Sequence, residues 1–239
     1  MIYIQSNKER TFTHHFDCAC ALYGAIDCAL DYRLTSFEEV ASGKFDALIR
    51  QNLFVGSVEF MREVFKRVGL MDVRLPKNSN RHHEIITLGE AHRRVANGGR
   101  LFIKPVDIKL FTGLILDGIR YSCLEGLPDE TIVMAYEPFK ERIESEWRFY
   151  IHNNKIIDAR NYSGDFKVVP NYSCVELVVK GNRGHFPCAY TIDVAIFPSN
   201  DNSVVEYNDM WAIGNYGMPN DMYFRVLKDR YFEIMMLGF

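Results

Sequence analysis

The sequence predicts an α/β (α+β) chain built as one large domain or two small lobes. Three observations carry this: strand-like and helix-like stretches alternate through the first third, two hairpin signals follow, and an amphipathic segment comes last. With 239 residues, 48% of them apolar and 25% charged, the chain has an ordinary globular composition and enough length for a substantial core.

Taken in order, MIYIQ reads as a strand, and FDALIRQNLFVG (45–56) as one or two more. SVEFMREVFKRVGL places Val58, Met61, Val64, Phe65 and Val68 on one helical stripe, with Ser57 as cap and Gly69 as stop. RLPKNSNRHH (74–83), rich in polar turn formers, is the best linker, and His82-His83 reads as a solvated helix start. LGEAHRRVAN is a helix stopped by Gly98-Gly99, and RLFIKP and TIVMAY (131–136) are strands. EWRFYI and KIIDARNY flank His152-Asn153-Asn154, whose asparagines suit a tight hairpin. VPNYSCVELVVKGN reads as a helix ending at Gly181, and PNDMYFRVLKDRYFEIMM as a terminal helix packing back on the core.

Several function classes are excluded. Net charge is −3 and the isoelectric point about 6.2, so no global basic field draws the chain to nucleic acid or anionic lipid. MIYIQSNKER lacks the pattern of a signal peptide, and no run approaches the roughly 18 apolar residues of a membrane span. Six cysteines without a C-x-x-C pair fit free thiols in a reducing cytoplasm. THHFDCAC (13–20) gathers His14, His15, Asp17, Cys18 and Cys20, but no second ligand cluster follows and metal binding is not expected there.

Chemistry is expected where polar groups interrupt strands. In TIDVAIFPSNDNSVVEYNDMW (191–211), a four-residue turn Pro198-Ser199-Asn200-Asp201 would oppose Phe197 to Asn202 and so Asp193 to Glu206, with Asn208 on the same face. Two facing carboxylates repel, and a hard cation such as Mg2+, which takes oxygen ligands, reverses the sign. On that argument, Asp193→Asn or Glu206→Gln is expected to leave the fold intact or stabilised. Lys104 at a strand end and Lys109 in FIKPVDIKLFTG suit phosphate oxygens, although no Walker loop is present. With Asn153-Asn154 as the turn, Arg148 and Arg160 point to opposite faces; a three-residue loop or a bulge would shift the register by one and make them partners, and a joint role needs that shift. MWAIGNYGM (210–218) is either a substrate-facing loop or an aromatic plug at the core edge.

Lysine at a strand end, K-x-F-T-G, a hinge strand, E-W-R-F, an R-N-Y strand and D-x(12)-E-x-N, in that order, resemble ATP-grasp proteins. The set looks like their divergent clade named for one arginine and two lysines, which includes small phage and bacterial members and a eukaryotic cell-division-cycle protein that helps assemble a translation initiation factor. The resemblance covers about residues 50 to 217. It implies an ATP-grasp fold, with nucleotide between two α+β lobes. Residues 1–80 would form an amino-terminal pre-grasp lobe and 81–239 the ATP-grasp domain, divided near 135/136.

Carried over residue by residue, the resemblance implies that Lys104 and Lys109 contact the ATP phosphates. Backbone groups of Met134, Ala135 and Tyr136 would hold adenine, and Glu137, Glu141 or Glu144 the ribose. Arg148 would bind the γ-phosphate with Arg160, and Asp193, Glu206 and Asn208 would hold Mg2+. The implied activity is a cytoplasmic carboxylate-amine ligase that forms an acyl phosphate on an amino acid, peptide or protein. The alternatives are a nucleotide-dependent assembly factor for a partner protein and a small-molecule kinase. E-Y-N departs from relatives that often have aspartate first.

Overall fold

The computed structural model describes residues 1–10, 13, 15–71, 73, 75–76, 81–106 and 110–237. Its contacts divide the chain into two compact units, Met1–Ser79 with Glu144–Phe239, and Asn80–Ile143. Of the linker RLPKNSNRHH, Arg74 and residues 77–80 lie outside the described residues.

In the first unit, β1 (Ile2–Gln5) runs parallel to and between β2 (Tyr32–Thr35) and β3 (Leu53–Val55). All four β1 residues are buried, as expected of a central strand covered on both faces. Around it lie α1 (Phe16–Asp27), α2 (Phe37–Ala41), α3 (Asp46–Ile49) and α4 (Val58–Arg67). Helix α4 follows the sequence reading: Ser57 Oγ accepts a bond from the Phe60 amide at 3.2 Å, and Met61, Val64 and Phe65 are buried. FDALIRQNLFVG corrects it. Asp46–Ile49 is a helical turn, because Phe45 and Ile49, four residues apart, are both buried, and only Leu53–Val55 is strand.

Helix α1 was not foreseen at all. His15 caps it, its side chain accepting from the Asp17 amide at 3.3 Å, and Cys18, Ala21 and Ala25 form its buried stripe. Cys20 is buried too, so the two sulfurs of C-x-C are core side chains; His14 lies outside the described residues. All six cysteines are free thiols.

The second unit is an antiparallel sheet in the order β4-β7-β5-β6, made of β4 (Glu84–Thr87), β5 (Leu101–Pro105), β6 (Leu114–Leu116) and β7 (Ile132–Tyr136). Helix α5 (Leu88–Ala96) packs Leu88, Ala91 and Val95 against Ile103, Leu116 and Val133. His82-His83 precedes strand β4 and not a helix; Thr87, three residues before Glu90, caps α5 instead.

The first unit's larger sheet is antiparallel, in the order β11-β10-β8-β9, from β8 (Ser145–His152), β9 (Lys155–Gly164), β10 (Ala189–Ile196) and β11 (Asn202–Asp209). Asn153 and Asn154 take φ of +48° and +59° in the β8–β9 turn, the left-handed pair a two-residue hairpin needs. Helix α6 (Tyr172–Gly181) lays Val175 and Val179 on one face, over Phe149, Ile151, Ile192 and Val194. The alternate residues of these strands therefore fall on the other face. Helix α7 (Asn220–Met236) buries Tyr223, Phe224, Leu227, Tyr231 and Ile234 in the core shared with β1, α1 and α4. Among the described residues, no helix is long and apolar enough to cross a membrane.

Candidate active site

The polar face of the β8–β11 sheet is assembled from two hairpins. Asp193 on β10 opposes Glu206 on β11, and Asn208 opposes Thr191. The turn is not the expected one: Ile196, not Phe197, opposes Asn202. Val204 opposes Val194 while Glu206 opposes Asp193, so Val205 is an inserted bulge residue that restores the expected carboxylate pair. Asn208 Nδ2 lies 3.2 Å from Glu206 Oε1 and 3.4 Å from Asp193 Oδ2, which draws the three side chains together.

Strand β8 supplies the countercharge. Arg148 opposes Asp193 across the β8–β10 ladder and donates to it from Nε at 2.8 Å and Nη2 at 2.7 Å. Both groups are buried, Arg148 at 6% exposure and Asp193 at 1%. Burial pushes the Asp193 carboxyl up to about 6, although the Arg148 bonds pull it down; the negative charges of Glu206 and Glu146 add to the rise. Burial is the largest single influence and disfavours the Arg148 charge, but the bonds to Asp193 and its negative charge act together against it and hold the guanidinium above its ordinary value. The facing acids are thus balanced by an arginine, a partner that opposition of strands alone did not reveal.

Facing arginines needed a one-residue shift of register, and the β8–β9 ladder has two bulges. Lys155 and Ile156 oppose His152 and Ile151, then Ile157 is inserted, and Arg148 opposes Arg160. Arg160 turns to its own strand, donating from Nε to Asp158 at 2.9 Å. The second insertion is Tyr162, between Asn161 opposite Trp147 and Ser163 opposite Glu146. Its hydroxyl lies 3.4 Å from Glu146 Oε1, and burial lifts the Glu146 carboxyl above its usual range. Sequence reading passed over Glu146, although its place two residues before Arg148 put it on the same face.

Of the two readings of MWAIGNYGM, the plug at the core edge is seen at Trp211, and Tyr216 adds a contact to the polar face. Trp211 packs edge-on to Phe65 with ring centroids 5.3 Å apart, closing the core. Tyr216 stacks on Tyr162 at 5.2 Å and lies 4.9 Å from the Arg148 guanidinium. Asn215, buried, organises the bend: its amide N–H donates to Asp17 of α1 at 2.7 Å, and its side chain bonds Met218 O and Gly217 N.

In the second unit, Lys104 opposes Met134, and its ammonium lies 5.3 Å from the Tyr136 ring. Met134 and Ala135 lie inside ladders on both sides, whereas Tyr136 runs past the end of β4. A cavity of about 450 Å3 opens there, lined by Arg81, Glu84, Arg100 and Glu137 among others; Glu141 of the same unit is not among its lining residues. Arg81 donates to the Glu137 carbonyl and packs 3.8 Å from the Phe139 ring centroid. Lys109 lies outside the described residues.

Two carboxylates and an amide are hard oxygen donors that fit Mg2+. The Thr191 hydroxyl, opposite Asn208 on the same face, is buried without a partner among the described residues, so the face keeps unused hydrogen-bonding capacity there. Among the described residues no three His, Cys, Asp or Glu side chains gather into a metal cage. The set therefore suits an ion completed by water and phosphate oxygens.

Solved structures share this architecture at low identity. D-alanine–D-alanine ligase from Bacillus anthracis, complexed with ATP, superposes with a TM-score of 0.55 at 13% identity, over 99% of this chain and 96% of that one. The ATP-grasp ligase PsnB, complexed with minimal precursor, Mg and ADP, gives 0.52 at 12% over 96% of each chain. N5-Carboxyaminoimidazole synthetase from Staphylococcus aureus, complexed with ADP, gives 0.55 at 8% over 95% of this chain and 77% of that one. No curated protein matches the sequence. The family described as the ATP-grasp domain, family 2 of the clade named for one arginine and two lysines, matches residues 79–226, and with the ATP-grasp fold now seen around an Asp193-Glu206-Asn208 face, the chain belongs to that family.

Proposed function

We propose that the protein is an ATP- and Mg2+-dependent carboxylate-amine ligase that activates a carboxylate as an acyl phosphate and passes it to an amine. The observation that carries this reading is the gathering of Asp193, Glu206, Asn208 and Arg148 on one sheet face. Phosphoryl transfer asks for positioned cations and in-line alignment rather than a protein nucleophile, and this face holds cation and cation ligands without a nucleophilic side chain among them. Asp193, Glu206 and Asn208 hold the metal, which neutralises phosphate charge when bound. Arg148 binds the terminal phosphate, Arg160 lies beside it as a second cation, and Lys104, with Lys109, contacts phosphate oxygens. The backbone at Met134, Ala135 and Tyr136 meets the adenine, and Glu137, which borders the cavity at the end of β7, meets the ribose.

The carboxylate and amine belong to an amino acid, a peptide or a protein: of the structures that share the fold, PsnB was solved with a minimal precursor, and another is a D-alanine–D-alanine ligase. The test is incubation with ATP, Mg2+ and a panel of peptides and amino acids, reading ADP, phosphate and coupled product by mass spectrometry. A joined product with ADP and phosphate in equal amounts is expected. Phosphorylated substrate without joining would make the protein a kinase. No ADP from any member, together with a nucleotide-dependent complex with a partner protein, would replace the ligase by an assembly factor.

A further inference from the structure

The Tyr162–Tyr216 stack has a place in the fold that core packing does not require. Tyr162 is an inserted residue of β9, and a bulge re-aims its side chain toward Arg148, 5.6 Å away. Tyr216 is 46% exposed, yet its backbone sits at φ +48°, a left-handed conformation that a bulky residue adopts only when its surroundings impose it. The surroundings do impose it. Tyr150 Oη lies 2.6 Å from Gly214 O and 2.7 Å from Asn215 O, Tyr223 Oη bonds Ile213 O, and Asp17 accepts the Asn215 amide. The bend thus holds a partly exposed ring with its face toward a buried guanidinium, 4.9 Å away.

The guanidinium itself is half committed. Nε and Nη2 are taken by Asp193, while Nη1 donates to no described residue and lies beside Gly214, 3.5 Å from where a Cβ there would stand. We propose that Tyr216, stacked on Tyr162, is a positioning residue. It fixes the plane of Arg148 by cation-π contact so that Nη1 meets a terminal phosphoryl oxygen while Asp193 keeps the other edge. This rests on the reading above that Arg148 receives the terminal phosphate.

The test compares the affinities of AMP-PNP and ADP, each with Mg2+, by calorimetry, because only the first carries a γ-phosphoryl group. Tyr216→Asn removes the ring while tolerating the positive φ. Its preference for AMP-PNP over ADP is expected to fall about 2- to 30-fold with ADP affinity unchanged, the range of a cation-π contact converted to affinity. Tyr216→Phe should keep the preference, and Tyr162→Leu should lower it in part. Adding Tyr216→Asn to Arg148→Lys should cause no further loss, since the ring acts through the arginine. Full preference in Tyr216→Asn, or an equal loss in the Arg148→Lys background, overturns the inference while leaving the ATP reading in place. An unsubstituted protein that binds neither nucleotide overturns the ATP reading, and this inference with it.

Discussion

Asp193 shows how a single partner reverses an energetic argument. From opposed strands alone, Asp193 and Glu206 repel, and neutralising either should relieve the fold. In the folded chain Asp193 holds a bidentate bond to Arg148 with both groups buried. Removing one member of such a pair strands the other charge away from water, at about 3–5 kcal/mol. Asp193→Asn in metal-free protein is therefore expected to lower unfolding stability by that order, measured by urea denaturation. Glu206→Gln, at a half-buried residue, should cost less than Asp193→Asn, because the Arg148 bonds go to Asp193. Equal midpoints for the two variants would show that Arg148 is not the countercharge. The sequence named both acids and the arginine; what it could not provide was the pairing, because β8 and β10 are separated by β9 and α6 along the chain.

At the scale of elements, the readable ones are those whose signal is local. Helix α4 has its cap and stripe within a dozen residues, and the β8–β9 turn has its two asparagines. Helix α1 was missed because its face is small, Cys18, Ala21 and Ala25 with Gly24 between, and gains meaning only from what lies on it. That neighbour is α7: a Cβ on Gly24 would collide with the Asn220 carbonyl oxygen and stand 2.5 Å from Phe224 Cβ. Gly24→Ala is expected to force the helices apart and cost about 1–3 kcal/mol, against the gain of helix propensity that alanine brings elsewhere. Thermal unfolding that is unchanged or raised would refute so close a contact. The β10–β11 pairing was right for an incomplete reason. The expected turn was one residue too short, and the unforeseen bulge at Val205 cancels the error before Asp193 is reached.

Across the whole molecule, thiol reactivity reports where the chain is open. Burial pushes the Cys18 thiol up to about 12, and burial with the Glu233 carboxylate does the same for Cys188. Cys28, Cys123 and Cys174 are exposed. A thiol alkylates as its thiolate, so a raised value means less reactive form at any pH below it. At pH 8 iodoacetamide is expected to modify Cys28, Cys123 and Cys174 and to spare Cys18 and Cys188 until the protein is unfolded, as read by peptide mass spectrometry. Early modification of Cys18 would place α1 outside the core. Sequence alone determined the elements with local signals, the facing carboxylates of one hairpin and the family, because periodicity, caps and turn residues are written in neighbouring positions. Tertiary structure alone decided that Arg148 balances Asp193, that Tyr162 and Tyr216 roof it, and that α1 packs on α7. Those contacts join residues tens to hundreds of positions apart, through bulges and close approaches whose energies exist only after the strands have paired.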